Sequence, residues 1–408
     1  ERARQTLLEH FGTQSLRGFG IEDIPAAQAA AGGLLEYLRD MHKRPLRHID
    51  RIALYDDSDY VFISPAAHHG LEMESLFKVL DRTVTAMGRR LFRFWLYHPL
   101  KNVAAIRVRQ DAVVVLKDDD TLRRTLGREL LKDLPDLEKS LSRLSCGCGA
   151  PRDFLAVRQA LIRAPEIIRG LQGIAGRSPL FAVDDVPAIR ELLERAIDPG
   201  MPLAKNEGRV IAKGFHAGLD ELKQLRDNGR EWLVQFQSRE IKRTGINSLK
   251  VGFNRVFGYY IEISNVNLKA APSDYIRKQT LANGERFITE ELKNYEEKIL
   301  SAEARVLKLE AELLSGLLAS VLGEINALHR YAEALARLDA VYALGEVASR
   351  PRYVRPEVTD GEELVILDGR HPVVESMLAG EDFIPNDTRL DCDENHLVVL
   401  TGPNMAGK

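Results

Sequence analysis

The sequence is short of cysteine, of long apolar runs and of excess charge, and each shortage removes a class of protein. Cys146, Cys148 and Cys392 make an odd count, with one Cys-x-Cys pair and no His or Cys partners at zinc spacing. That argues against a disulfide framework and against a structural metal site, and it points to free thiols in a reducing compartment. No apolar run approaches the roughly 20 residues that cross a bilayer, and the first residues have no signal-peptide profile. A soluble cytoplasmic protein is the expectation. The formal net charge is −3, so any DNA or RNA contact has to come from a local basic patch. An initiator methionine is also missing, and the chain reads as a piece of a longer protein.

What is present is clearest in the last thirteen residues. Leu397 to Leu400 form a short apolar run rich in β-branched residues, which predicts a buried strand. It leads into Gly402-Pro403-Asn404-Met405-Ala406-Gly407-Lys408, a G-x-x-x-x-G-K phosphate-loop pattern. The two glycines let the chain curl so that backbone N–H groups face a polyphosphate, and Lys408 adds a mobile charge for its outer oxygens. The Ser or Thr whose hydroxyl holds Mg²⁺ would come next, so no metal ligand is expected among these residues. Phe383 and Ile384 lie shortly before the loop. An aromatic there stacks on a nucleotide base or packs in a core, and local sequence does not separate the two.

The first 45 residues end in an Ala-rich helical stretch and carry no chemistry. From about 46 to 206 the pattern is that of a helical bundle. Leu71 to Tyr97 keeps one apolar face at three-to-four spacing and predicts a single helix. Arg89, Arg90 and Arg93 on it read as a solvated or salt-bridging face rather than a DNA patch. Further on, apolar stripes from Ile211 to Phe236 and from Leu292 to Leu317 predict two long helices forming an antiparallel coiled-coil arm. At 1.5 Å per residue each limb would be about 45–50 Å long.

Between the limbs the period changes to two: Leu249, Val251, Phe253, then Phe257, Tyr259, Ile261, Ile263, with Asn254-Arg255 as the hairpin turn. This tip carries Lys250, Arg255, Lys269, Arg277, Lys278 and Arg286 against Glu262, Asp274 and Glu285. Basic and amide residues on a small sheet suit phosphate contacts, and a solvated tip without a ligand is nearly as good a reading. Residues 323 to about 350 return to helix. Pro351 and Pro356 then open a new domain, with a strand at Leu364–Leu367 and His371 as a capping or turn-stabilising residue.

Taken together, these stretches resemble the MutS family of DNA mismatch-recognition ATPases over essentially the whole chain. The match is carried by 79–88 (VLDRTVTAMG), 250–261 (KVGFNRVFGYYI), 277–283 (RKQTLAN), 369–375 (GRHPVVE) and 401–408 (TGPNMAGK). The resemblance implies a mainly α fold: a helical core, a long arm tipped by a small β-rich clamp, and the start of an α/β P-loop ATPase domain. The implied parts are 1–45, the end of a connector; 46–236 and 297–352, core and lever; 237–296, clamp with arm tips; and 353–408, the truncated ATPase start. It assigns DNA-backbone contacts to Asn254, Arg255 and Asn283, with the basic Arg286 beside them, and base stacking to Phe383 with Ile384. Implied further are ATP or ADP with Mg²⁺, duplex DNA bearing mismatches or small loops, a homodimer and a MutL-type repair partner in the bacterial cytosol. The mismatch-reading domain and the rest of the ATPase lie outside this sequence, so this chain by itself is not expected to turn over ATP. Two alternatives are a second MutS branch that lacks the clamp, and a coiled-coil P-loop ATPase of the chromosome-condensing kind.

Overall fold

A computed structural model describes residues 1–13, 15–42, 46, 49, 52, 59–201, 209–254, 258–349, 353–378, 383–399 and 401–402, with only the backbone of 226–231 and 298–300. The chain divides into two compact units: Glu1–Pro187 with Glu324–Lys408, and Ala188–Gly323.

The first unit is helical. Helices Arg2–Phe11 and Pro25–His42 close a small core of Leu7, Leu16, Ile21 and Leu35. The main bundle surrounds the helix Ile325–Ala348, which is buried on nearly every side and packs against Ala86–Tyr97 and Val103–Asp118. Its small residues explain how neighbours come so close. A Cβ on Gly345 would lie 2.9 Å from the Leu116 Cβ. Its one fully buried hydroxyl is satisfied too: Tyr331 donates to the Ala160 carbonyl at 3.0 Å.

The single helix expected over 71–97 is two, Met73–Leu80 and Ala86–Tyr97. The break has two causes. Asp81 Oδ1 accepts from the Thr83 N–H and hydroxyl, and the wholly buried Asp339 accepts from the Val84 and Thr85 N–H groups and the Thr85 hydroxyl. Thr85 in turn caps the second helix by accepting from the Gly88 N–H. The pattern of apolar residues was sound; the carboxylate that interrupts the ladder comes from a distant helix. Arg89, Arg90 and Arg93 pair with Asp81, with Asp136 and Glu138, and with Glu74, as a salt-bridging face should.

The second unit contains two long helices, Ala217–Thr244 and Glu290–Gly323, about 42 and 51 Å at 1.5 Å per residue. They run antiparallel: Trp232 stacks on Tyr295, and Lys223 meets Glu310. The first starts later than its stripe suggests, because Val210 and Ile211 are not helical. Their N–H groups donate to the buried Glu310 carboxylate at 2.9 and 3.0 Å, and Ile211 bridges Ile197. Between the helices lies an antiparallel sheet of β1 (Lys250–Asn254), β2 (Gly258–Ser264), β3 (Ile276–Leu281) and β4 (Gly284–Ile288), in the order β1-β2-β4-β3.

At the end of the first unit, β5 (Leu364–Gly369) pairs with β6 (Asn386–Leu390), with helix Pro372–Met377 between them. His371 accepts from the Val374 N–H and so caps that helix. Of the strand expected over Leu397–Leu400, residues 397–399 are irregular and exposed, and among the described residues no strand is laid against them to take their N–H and C=O groups. Leu400 itself lies outside the described residues.

Candidate functional site

Alternation along the four strands sorts the sheet into two faces. Val251, Ile261, Ile263 and Phe287 turn towards Phe236 and Leu292 of the long helices and form one core with Tyr275 and Leu249. At the hairpin end, Gly258 adopts φ 71, and a Cβ there would strike the Glu296 carboxylate, which accepts from the Tyr259 N–H at 3.3 Å. The first helix is tied to the start of β3 by a network around the buried Glu240. Tyr275 donates to Glu240 at 2.7 Å, and Arg243 bridges Glu240 and Asp274. Burial beside the Glu240 carboxylate pushes the Tyr275 hydroxyl well above its usual range.

The other face carries a row in register, Lys250–Glu262–Arg286–Gln279. Arg286 donates to Glu262 and Gln279, both at 3.0 Å, and its guanidinium lies 4.0 Å from the centre of the Tyr260 ring. Gly252, opposite Tyr260, leaves room for that ring, since a Cβ would come within 2.8 Å of it. Arg286 is thus engaged within the sheet through its Nε and one Nη.

Asn254 and Asn283 are not brought together. Asn254 closes one end of β2 through its partner Gly258, while Ser264 at the other end pairs with Gly284, next to Asn283. The strand between spans about 20 Å. Asn254 is half-buried and Asn283 is exposed in the Ala282-Asn283 turn; Arg255 lies outside the described residues. At the Asn283 end the exposed Asn265 donates from its backbone to the Asn283 carbonyl at 3.2 Å and from its side chain to Ala282 at 3.0 Å. Asn267 bonds Ser248, so amide and hydroxyl groups from three loops share this end. Asn265, Asn267 and Ser248 were not foreseen, although the amides beside Lys269 were a readable signal.

For the nucleotide, the described residues offer a wall rather than a phosphate cradle. Pro403 to Lys408 lie outside them, and Thr401 and Gly402 are exposed. Phe383 lines an open cavity of 1090 Å³ with Tyr353, Arg370, Pro385 and the apolar side chains of helix Val103–Asp118. Arg370 lies 5.5 Å over the Tyr353 ring and pairs with Glu375. Ile384 is exposed and does not line this cavity. An aromatic-walled cavity with cations on its rim fits a heterocyclic base and a phosphate chain in kind.

The helical core and the sheet together match one family. The family model for MutS domain III covers residues 63–345, and that for MutS domain II covers residues 1–50. The chain belongs to the MutS family. Proteins named DNA mismatch repair protein MutS align with nearly all of it. That of Symbiobacterium thermophilum is 43% identical over 422 residues, covering 100% of this chain and 48% of the relative. Those of Pelotomaculum thermopropionicum and Salinibacter ruber are 43% and 42% identical, covering 98% and 100% of this chain and 48% and 46% of theirs. The chain spans about half the length of the curated relatives it matches. The domain III match runs from the helix Pro65–Gly70 to within the central helix, so it takes in both long helices and the four-stranded sheet.

Proposed function

We propose that this MutS chain is the lever and DNA-gripping part of a mismatch repair ATPase, with 237–296 as the clamp and 353–408 as the opening of the ATPase domain. The observation that carries the reading is the sheet between two antiparallel helices, whose Asn283 end exposes amides and lysine while its core face is fully packed. Such an end suits sugar-phosphate oxygens, which hold a protein on a duplex without reading its sequence. Asn254 and Arg255 would touch the duplex at a second place, about 20 Å from Asn283 by the length of β2. Arg286 serves the clamp by holding its outer row, not by direct contact.

In the longer protein, Gly402 to Lys408 would hold the phosphates of ATP and Phe383 would stack on its base; bound ATP with Mg²⁺ supplies the transferable phosphoryl group. The Mg²⁺ ligands are not among these residues, so this chain should bind DNA weakly, equally on matched and mismatched duplexes, and should not turn over ATP. Dimerisation, a MutL-type partner and residence in the bacterial cytosol belong to the same proposal; no helix among the described residues is long and apolar enough to cross a membrane. The four-stranded sheet supports this reading over the branch without a clamp.

The test is a salt titration of binding to matched and mismatched duplexes, with Arg255→Ala and Asn283→Ala alongside. Binding should fall steeply with salt, ignore the mismatch and weaken in both variants. Unchanged binding in both variants would remove the clamp assignment. ATP turnover well above a Lys408→Ala control would remove the other half.

A further inference from the structure

A second cavity, of 590 Å³, lies in the helical bundle between Ala86–Tyr97, Val103–Asp118, Leu137–Ser145 and the central helix. Its apolar wall is made by Met87, Leu91, Trp95 and Leu180. Two arginines face it under conditions unlike those of their neighbours. Arg89, Arg90 and Arg93 each have a carboxylate, whereas neither Arg109 nor Arg337 has an ion pair among the described residues. The Arg109 guanidinium lies 4.0 Å from the centre of the Trp95 ring, and burial lowers it below the usual range. The Nε of Arg337 is buried with no acceptor.

Both arginines are half-buried, a buried Nε–H without an acceptor is costly, and the planar fork of donors matches a carboxylate or phosphate edge. The two carboxylates that border the cavity do not fill that need. Glu138 is held by Arg90 at 2.6 Å, and Glu333, exposed one turn before Arg337 on the same helix, forms no ion pair with it. The volume falls within the range of small-molecule sites, and Trp95 and Leu91 give it an apolar wall.

We propose that this cavity binds a small organic anion, with a phosphate or carboxylate head on Arg337 and Arg109 and a flat apolar body against Trp95 and Leu91. The site is separate from the phosphate loop and does not depend on the mismatch-repair reading. Arg109 also borders the Phe383 cavity, but Arg337 does not, so Arg337 is the discriminating residue.

Isothermal titration calorimetry with 1-naphthyl phosphate, neutral 1-naphthol and inorganic phosphate tests it on the chain as it stands and on Lys408→Ala. Naphthyl phosphate should bind saturably with a dissociation constant on the order of tens to hundreds of micromolar. Naphthol and inorganic phosphate should each bind at least tenfold more weakly, and Lys408→Ala should bind naphthyl phosphate unchanged. Arg337→Gln should weaken naphthyl phosphate at least tenfold and leave naphthol alone, while Arg337→Lys keeps part of the affinity; both should melt at the parent's temperature. Equal binding of the charged and neutral naphthyl compounds, unaltered binding in Arg337→Gln, or loss in Lys408→Ala would each overturn the proposal, as would no saturable binding at all.

Discussion

Replacing Asp339 by Asn should give a stability defect that depends on pH in a direction the structure dictates. Asp339 is wholly buried and accepts from three donors: the Val84 N–H, shared between its two oxygens at 2.9 and 3.2 Å, the Thr85 N–H at 2.8 Å and the Thr85 hydroxyl at 2.6 Å. Burial, with a small contribution from Asp81, nonetheless outweighs those donors and pushes the carboxyl up from 3.8 to about 6. A carboxyl whose pKa rises on folding stabilises the fold when protonated, and that contribution is lost as pH climbs through 6. The full shift is worth about 3 kcal/mol, of which about 2 kcal/mol falls between pH 4.5 and 7.5. Asn cannot titrate, and its NH₂ must replace an oxygen that accepts from a backbone N–H, which costs about 1–3 kcal/mol. Asp339→Asn should therefore be most destabilised relative to the parent at pH 4.5, and the gap should narrow by about 2 kcal/mol at pH 7.5. Urea unfolding followed by Trp95, in a Trp232→Phe background, reads the helix that this carboxylate caps. A gap that stays constant, or widens with rising pH, would refute the reasoning.

Four further outcomes test the second unit. Glu310→Ala removes the acceptor of two buried N–H groups and the partner of the mostly buried Lys223, and should lose about 3–5 kcal/mol in denaturant unfolding followed by Trp232. Gly258→Ala puts a Cβ on a left-handed residue against Glu296 and should cost about 1–2 kcal/mol, read as faster amide exchange in β1 and β2. Asn283→Ala should leave the melting temperature within a degree of the parent while weakening duplex binding. Arg286→Ala should lower it, since Glu262 and Tyr260 lose their partner.

Much of the four-stranded sheet was legible because a half-buried strand writes itself as period two. Val251, Phe253, Tyr259, Ile261 and Ile263 alternate, and they fall on β1 and β2 as expected. The two long helices were legible from their stripes for the same kind of reason. The surroundings of Arg286 were not, because only strand register sets Glu262, Gln279 and Tyr260 around it. The distance between Asn254 and Asn283 was hidden too. It depends on β4 inserting between β2 and β3, a pairing that no local pattern records.

The residues by themselves determined the family, through long ordered stretches such as Lys250 to Ile261, and the kinds of element, through periods of two and of three to four. Those signals are local, set by which side chains recur on one face. Tertiary structure alone decided where the helix over 71–97 breaks, because Asp339 reaches it from more than 250 positions away. It alone set two arginines beside a cavity with no carboxylate paired to them among the described residues. Both outcomes depend on which groups are taken out of water together, and only the packed chain settles that.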